Sequence, residues 1–149
     1  MQLSPNFSLA ELVVSEIAVR NDIENTPSDW QIENLRRLCT LVLQPIRDQL
    51  AVPVIVLSGF RSARVNQLAG GSRLSDHMSG SAADIVAVGY NAAQLAKAIV
   101  IGTLPVKQLI LEFGSWVHIS IAPEHQEPRR ELLVASRING QTVYTPGLA

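Results

Sequence analysis

Apolar residues recur at steps of three and four along one stretch of the chain: Ile32, Leu35, Leu38, Val42, Ile46 and Leu50. That spacing puts them on one face of a long helix. Ser28 or Asp29 opens it, and Arg36, Arg37 and Asp48 fall off the apolar face. Pro45 is expected to kink or divide this helix, because proline has no N–H to donate. Upstream, Ser8 and Glu11 have the spacing of a capping box, which predicts a short helix over residues 9–14. Residues 21–27 are polar and turn-rich. Downstream the period changes. Residues 54–57 form a β-branched run after Pro53 and read as a buried strand ended by Ser58 and Gly59. Residues 61–68 read as a short helix or turn, and Gly70-Gly71-Ser72 as a loop. Residues 82–88 read as a strand. Asn91 caps a helix that runs to about Ile101 and closes at Gly102 and Pro105. Strands over residues 108–113 and 116–121 flank Gly114-Ser115, the pattern of a hairpin. A second hairpin, residues 132–138 and 142–144, turns at Asn139-Gly140. Helices come first and a mainly antiparallel sheet follows, which predicts an α+β fold.

Composition narrows the function. A chain of 149 residues is long enough for one domain with a real core. With 47% hydrophobic and 17% charged residues, disorder is not expected. The net charge of −1 and the lack of a basic run argue against a nucleic-acid binder. Cys39 is the only cysteine, so no internal disulfide can form, and its place on a helical face reads as a small packed apolar residue. The first residues lack a charged segment followed by an apolar run. No apolar stretch approaches the ~20 residues of a membrane span. The expectation is a chain made in the cytoplasm without a secretory signal or stable membrane insertion, with a monomer favoured.

The chemistry lies in two segments, S-D-H-M-S-G-S-A-A-D-I (75–85) and W-V-H-I-S (116–120). They hold two of the chain's three histidines, His77 and His118, together with Asp84. Two imidazoles and one carboxylate are the donors a catalytic zinc takes, with a fourth position left open. Taken singly, each residue has a plainer reading: a lone histidine is more often a surface or hydrogen-bonded group than a ligand. Context strengthens the set. Asp84 stands between Ala82, Ala83 and Ile85 in a stretch that looks buried, where a carboxylate must be paired or bound to metal. Glu112 ends the apolar run L-I-L-E and is the candidate general base. Arg61, in S-G-F-R-S, is the candidate for binding a substrate carboxylate or stabilising developing negative charge. Ser75 could bind substrate or orient its loop, and Trp116 could wall the pocket. Trp30 is expected to pack on the long helix, and His125, in a proline-bounded polar loop, to be solvated.

These segments, with N-Q-L-A-G-G-S (66–72), resemble the M15 zinc peptidases, most nearly a small phage-associated branch described as D-Ala-D-Ala carboxypeptidase-like. The likeness begins with F-S-L-A-E-L-V-V-S-E-I-A, continues through N-L-R-R-L-C-T-L-V-L-Q-P-I-R and reaches the last hairpin, so it covers most of the chain. The resemblance implies zinc held by His77, Asp84 and His118, with Arg61 and Ser75 matching site residues of the family. It implies a fold shared with the hedgehog signalling domain, helices on one side of an antiparallel sheet and zinc on the other. It further implies cleavage of peptidoglycan stem peptides, at D-Ala-D-Ala or at L-Ala-D-Glu, by a phage or prophage lysis enzyme or a virion component. Several family members place the catalytic acid three residues before the last histidine, where this chain has Ser115. Hedgehog-like members carry a glutamate six residues before it, where this chain has Glu112. The alternative function is a non-catalytic zinc-binding or wall-binding virion module.

Overall fold

The computed structural model describes residues 1–147. Strands β1 (Gln2–Ser4) and β2 (Phe7–Ser8) make a small antiparallel ribbon. Helix α1 (Leu9–Val13) follows, closed at its start by the Ser8–Glu11 capping box. Helix α2 (Glu16–Asn21) begins at Ser15, whose hydroxyl accepts from the Ala18 N–H, and ends at Asp22 in a left-handed conformation. The long helical stretch is α3 (Asp29–Leu38), a π-helical turn (Cys39–Leu43) and α4 (Gln44–Leu50). Pro45 thus divides the helix without ending it. The wider turn lets the Gln44 N–H bond to the Cys39 carbonyl, so the chain stays helical up to a residue with no N–H to give. Trp30 does not pack as expected: it is 60% exposed, because it lies off the face that carries Leu35 and Leu38.

The second half supplies β3 (Val54–Ser58), α5 (Ala63–Leu68), a 3-10 turn (Asp76–Ser79), β4 (Ala82–Ala87) and α6 (Ala92–Val100). β5 (Gln108–Glu112), β6 (Trp116–Ser120), β7 (Glu131–Ile138) and β8 (Gln141–Pro146) complete it. Six strands form one sheet in the order β3-β4-β6-β5-β7-β8. Every pairing is antiparallel except β5 with β7. The fold is therefore α+β with a mostly antiparallel sheet.

Strand residues alternate between two faces. Ala83 and Ile85 on β4, Leu109 on β5, and Val117 and Ile119 on β6 are fully buried against helical residues that include Leu38, Leu43, Ile46 and Leu95. This is the core. The alternate residues, Asp84, His118, Ile110 and Glu112, must then point to the opposite face. The sheet's alternation, not any local propensity, turns polar groups away from the core at these positions.

Candidate metal centre

Asp84 on β4 lies directly opposite His118 on β6, and Ser58 on β3 lies opposite Asp84 on its other side. The β3–β4 register slips between Val56 and Ser58. That bulge re-aims Ser58 beside Asp84. His77 arrives from the 3-10 turn. Ser75 caps this turn, its hydroxyl accepting from the His77 N–H at 3.2 Å. Gln31 and Asn34 of α3 donate side-chain hydrogen bonds to the carbonyls of Met78 and Ser79. Lys107 donates to both oxygens of Asp76 at 3.1 and 2.9 Å. Gly80 ends the turn at φ 78°, and a Cβ there would sit 2.5 Å from the Gln31 carbonyl oxygen. The turn is thus clamped between α3 and the start of β5, and His77 is aimed by the clamp.

The three side chains converge. Asp84 Oδ1 lies 3.0 Å from His118 Nδ1 and 3.3 Å from His77 Nε2. The imidazole centroids are 5.1 Å apart, and one potential ligand atom from each residue falls within 4.8 Å of the others. His77, Asp84 and His118 are all buried. His77 Nδ1 is 2.7 Å from the Gly59 carbonyl oxygen. A carbonyl accepts only, so Nδ1 carries the hydrogen and Nε2 of a neutral ring carries a lone pair.

That tautomer tests the fit of a metal. Burial pushes the His77 pKa down foremost, against the pull of the Asp84 carboxylate, and so keeps the ring neutral. Burial alone would raise Asp84, but the neighbouring imidazoles, His118 foremost with Nδ1 at 3.0 Å, outweigh that and hold the carboxyl well below the usual range. A bare lone pair at Nε2 therefore faces an ionised carboxylate oxygen at 3.3 Å. Two acceptors in that relation repel unless a cation stands between them. Two imidazole nitrogens and one carboxylate oxygen suit zinc, where calcium and magnesium take oxygen donors. The donor set fits zinc.

Arg61 does not stand free above the site. It bonds to Asp84 Oδ2 at 3.3 Å through Nη2, to Ser58 Oγ at 3.0 Å through Nε, and to Asn66 Oδ1 at 3.5 Å through Nη1. One Asp84 oxygen thus faces the histidines and the other faces the guanidinium. Glu112 ends β5 on the same face. Ile110 is directly opposite His118 and Trp116 is opposite Glu112, so Glu112 is the diagonal neighbour of His118. Burial raises the Glu112 pKa foremost, and the Asp84 charge adds to it; His118, Arg61 and the Trp116 indole pull the other way. That indole N–H is buried but has no partner in hydrogen-bonding geometry. Trp116 meets the Phe113 ring edge-on at 5.8 Å.

Of the residues singled out in the sequence, the fold therefore gathers His77, Asp84, His118 and Arg61 through direct contacts. Glu112 and Trp116 are beside them, and Ser75 acts through the His77 backbone. His125 is exposed. Cys39 is fully buried in the core, where burial pushes its thiol up to about 12, which leaves it inert. Sequence reasoning missed Ser58, Asn66 and the Gly59 carbonyl. Gly59 carries a signal only in three dimensions: a Cβ there would lie 2.4 Å from the Leu12 carbonyl oxygen. Asn66 is 3% exposed and donates to the Ser72 carbonyl at 2.9 Å while accepting from Arg61. It ties the arginine to the loop that leads into Ser75.

Among the described residues no helix is long and apolar enough to cross a membrane. No curated protein matches the chain. Residues 5–120 match the family model described as Peptidase M15.

Proposed function

Because the chain belongs to the M15 peptidase family, we propose that it is a zinc-dependent peptidase that hydrolyses the peptide stems of peptidoglycan. The observation that carries this reading is the convergence of His77, Asp84 and His118 on a buried spot with Glu112 beside it. His77, through Nε2, and Asp84 and His118 would hold the ion. When bound, zinc supplies a Lewis acid and lowers the pKa of water to about 7.

The protein's own groups do the rest. Glu112 accepts the proton of the attacking water and returns it to the leaving amine; its raised pKa suits a group that must both take and give. Arg61, held by Ser58 and Asn66, orients Asp84 through Oδ2, and lends positive charge to the side of the site where the carbonyl oxygen gains negative charge. Ser75 sets the His77 backbone, and Trp116 walls the Glu112 side. The bond cut is D-Ala-D-Ala or L-Ala-D-Glu, the setting a phage lysis enzyme or a virion component, and the fold of the hedgehog/DD-peptidase type.

A non-catalytic wall-binding module is the second reading, favoured by Ser115 at the position where several family members carry their acid. Glu112→Gln separates the two. Muropeptide cleavage followed at matched zinc content should fall at least about 100-fold, the loss typical of a removed general base. Undiminished cleavage removes Glu112 from the mechanism. No cleavage by either protein, with zinc bound in both, favours the binding module.

A further inference from the structure

The family match ends at Ser120, but the sheet continues. β7 and β8 extend it on the Glu112 side. β7 pairs in parallel with the whole of β5, from Gln108↔Glu131 to Glu112↔Ala135. The Phe113 N–H then donates to the Ala135 carbonyl at 3.0 Å. Paired residues share a face of the sheet. The row that holds Trp116 and Glu112 therefore runs on through Ala135 to Tyr144. Arg137, two residues past Ala135, returns to that face opposite Thr142. The face that carries the candidate metal centre is thus extended by Tyr144, 54% exposed, and by the exposed Arg137.

Arg137 is positioned but uncommitted. Its guanidinium carbon lies 5.1 Å from the centroid of the Phe113 ring, which in turn meets Trp116. Phe113 holds this place at φ 54°, a conformation a bulky side chain rarely adopts. Stacking on a ring orients the plane of a guanidinium and leaves its N–H edges open. Among the described residues Arg137 has no carboxylate partner. The group complementary to those open donors is a carboxylate, which a guanidinium binds in a two-point geometry.

We propose that the β7–β8 hairpin is a substrate-recognition wall. Arg137 binds a free carboxylate of an anionic peptide, and Tyr144 and Trp116 flank that peptide beside Glu112. The occupant is the substrate and not a second protein, because the row is continuous with Glu112 and supplies one uncommitted cation for one anionic group. The identity of the ligand rests on the peptidase reading; the preference for a carboxylate rests on Arg137.

The probes are the pentapeptide L-Ala-D-Glu-L-Lys-D-Ala-D-Ala and a copy with its carboxylates converted to carboxamides. Binding is titrated calorimetrically to zinc-loaded Glu112→Gln protein, with Arg137 present or replaced, and turnover is followed in parallel with Glu112 intact. Arg137→Gln should weaken the carboxylate peptide about tenfold and leave the amide copy unchanged. In turnover the loss should fall on KM, with kcat within about twofold. Arg137→Lys should recover part of the affinity, since it keeps the charge without the planar stack. An equal loss for both peptides, no loss for either, or no binding of either to the parent protein overturns the proposal. Carboxylate-dependent binding without turnover by the unmutated chain upholds the wall and overturns the peptidase reading; turnover without that dependence does the reverse.

Discussion

Replacing Gly59 with alanine tests how the candidate metal centre is aimed without touching His77, Asp84 or His118. The added Cβ would lie 2.4 Å from the Leu12 carbonyl oxygen and 3.1 Å from the Leu12 carbonyl carbon and Cα. These are backbone atoms and cannot swing aside. Either the end of β3 or the end of α1 must shift by roughly 1 Å to restore ordinary contact. The same shift strains the Phe60 N–H bond to that carbonyl, now 2.7 Å. It also pulls the Gly59 carbonyl off His77 Nδ1, now 2.7 Å away. Crowding of this kind costs about 1–3 kcal/mol, which for a chain of this size lowers Tm by roughly 3–10 °C. If His77 is a zinc ligand as proposed, losing the bond that orients it should cost about 10–100-fold in metal affinity. Calorimetric melting of the metal-free protein and zinc titration against a fluorescent chelator measure the two effects separately. A lower Tm with unchanged zinc affinity would show that the Gly59 carbonyl does not aim His77. No change in either would refute the close approach itself.

Three further outcomes follow from the same geometry. Asp84→Asn removes a ligand and leaves Arg61 facing a neutral amide in a buried site; it should destabilise the metal-free protein by about 3 kcal/mol in denaturant titration and weaken zinc by more than the about 10–100-fold of an orienting partner. Acid should destabilise the metal-free protein from two directions. His77 has a folded pKa below 6.5, so the unfolded chain binds more protons and stability falls as pH drops below about 6.5. Asp84 has a folded pKa below 3.8, so its contribution is present above that value and lost as pH falls toward the folded one. Denaturant midpoints measured from pH 8 to pH 3 should decline in that order, and a rise in stability on acidification would contradict both assignments. Cys39 should resist thiol reagents in the native protein and react fully once unfolded, because the thiol is pushed up to about 12 inside the core; rapid native labelling would place it elsewhere.

The candidate metal centre was legible because its chemistry is concentrated in rare residues. His77 and His118 are two of three histidines, and Asp84 sits among small apolar neighbours. The long amphipathic helix was legible from its period, and the helix capped by Asn91 and the strands of the sheet from period together with cap and turn residues. β3, read as buried, is instead an edge strand with Ile55 and Leu57 exposed, because among the described residues no strand pairs with it beyond β4. The remaining features depend on distant partners. The π-helical turn before Pro45 is one of several ways to carry a helix past a proline, and packing decides among them. α2 buries only Ala18 and leaves no periodic trace. Pairing β5 with β7 in parallel requires the chain to cross back through residues 121–130, whereas sequence order suggests only hairpins. The turn between β5 and β6 also slides: Phe113 and Gly114 take the positive φ values, one residue before the expected Gly114-Ser115. Asn66 looks like any polar helix residue until its burial beneath Arg61 and the residue 70–72 loop is known.

In the proposed function, His77, Asp84 and His118 hold a zinc ion used to cut a stem peptide. Mass spectrometry of L-Ala-D-Glu-L-Lys-D-Ala-D-Ala incubated with the zinc-loaded protein, the chelator-stripped protein and the stripped protein given zinc again tests it directly. Hydrolysis is expected at one bond with zinc, none after stripping, and recovery when zinc is restored. An intact peptide at full zinc occupancy, or cleavage that persists after stripping, would contradict it.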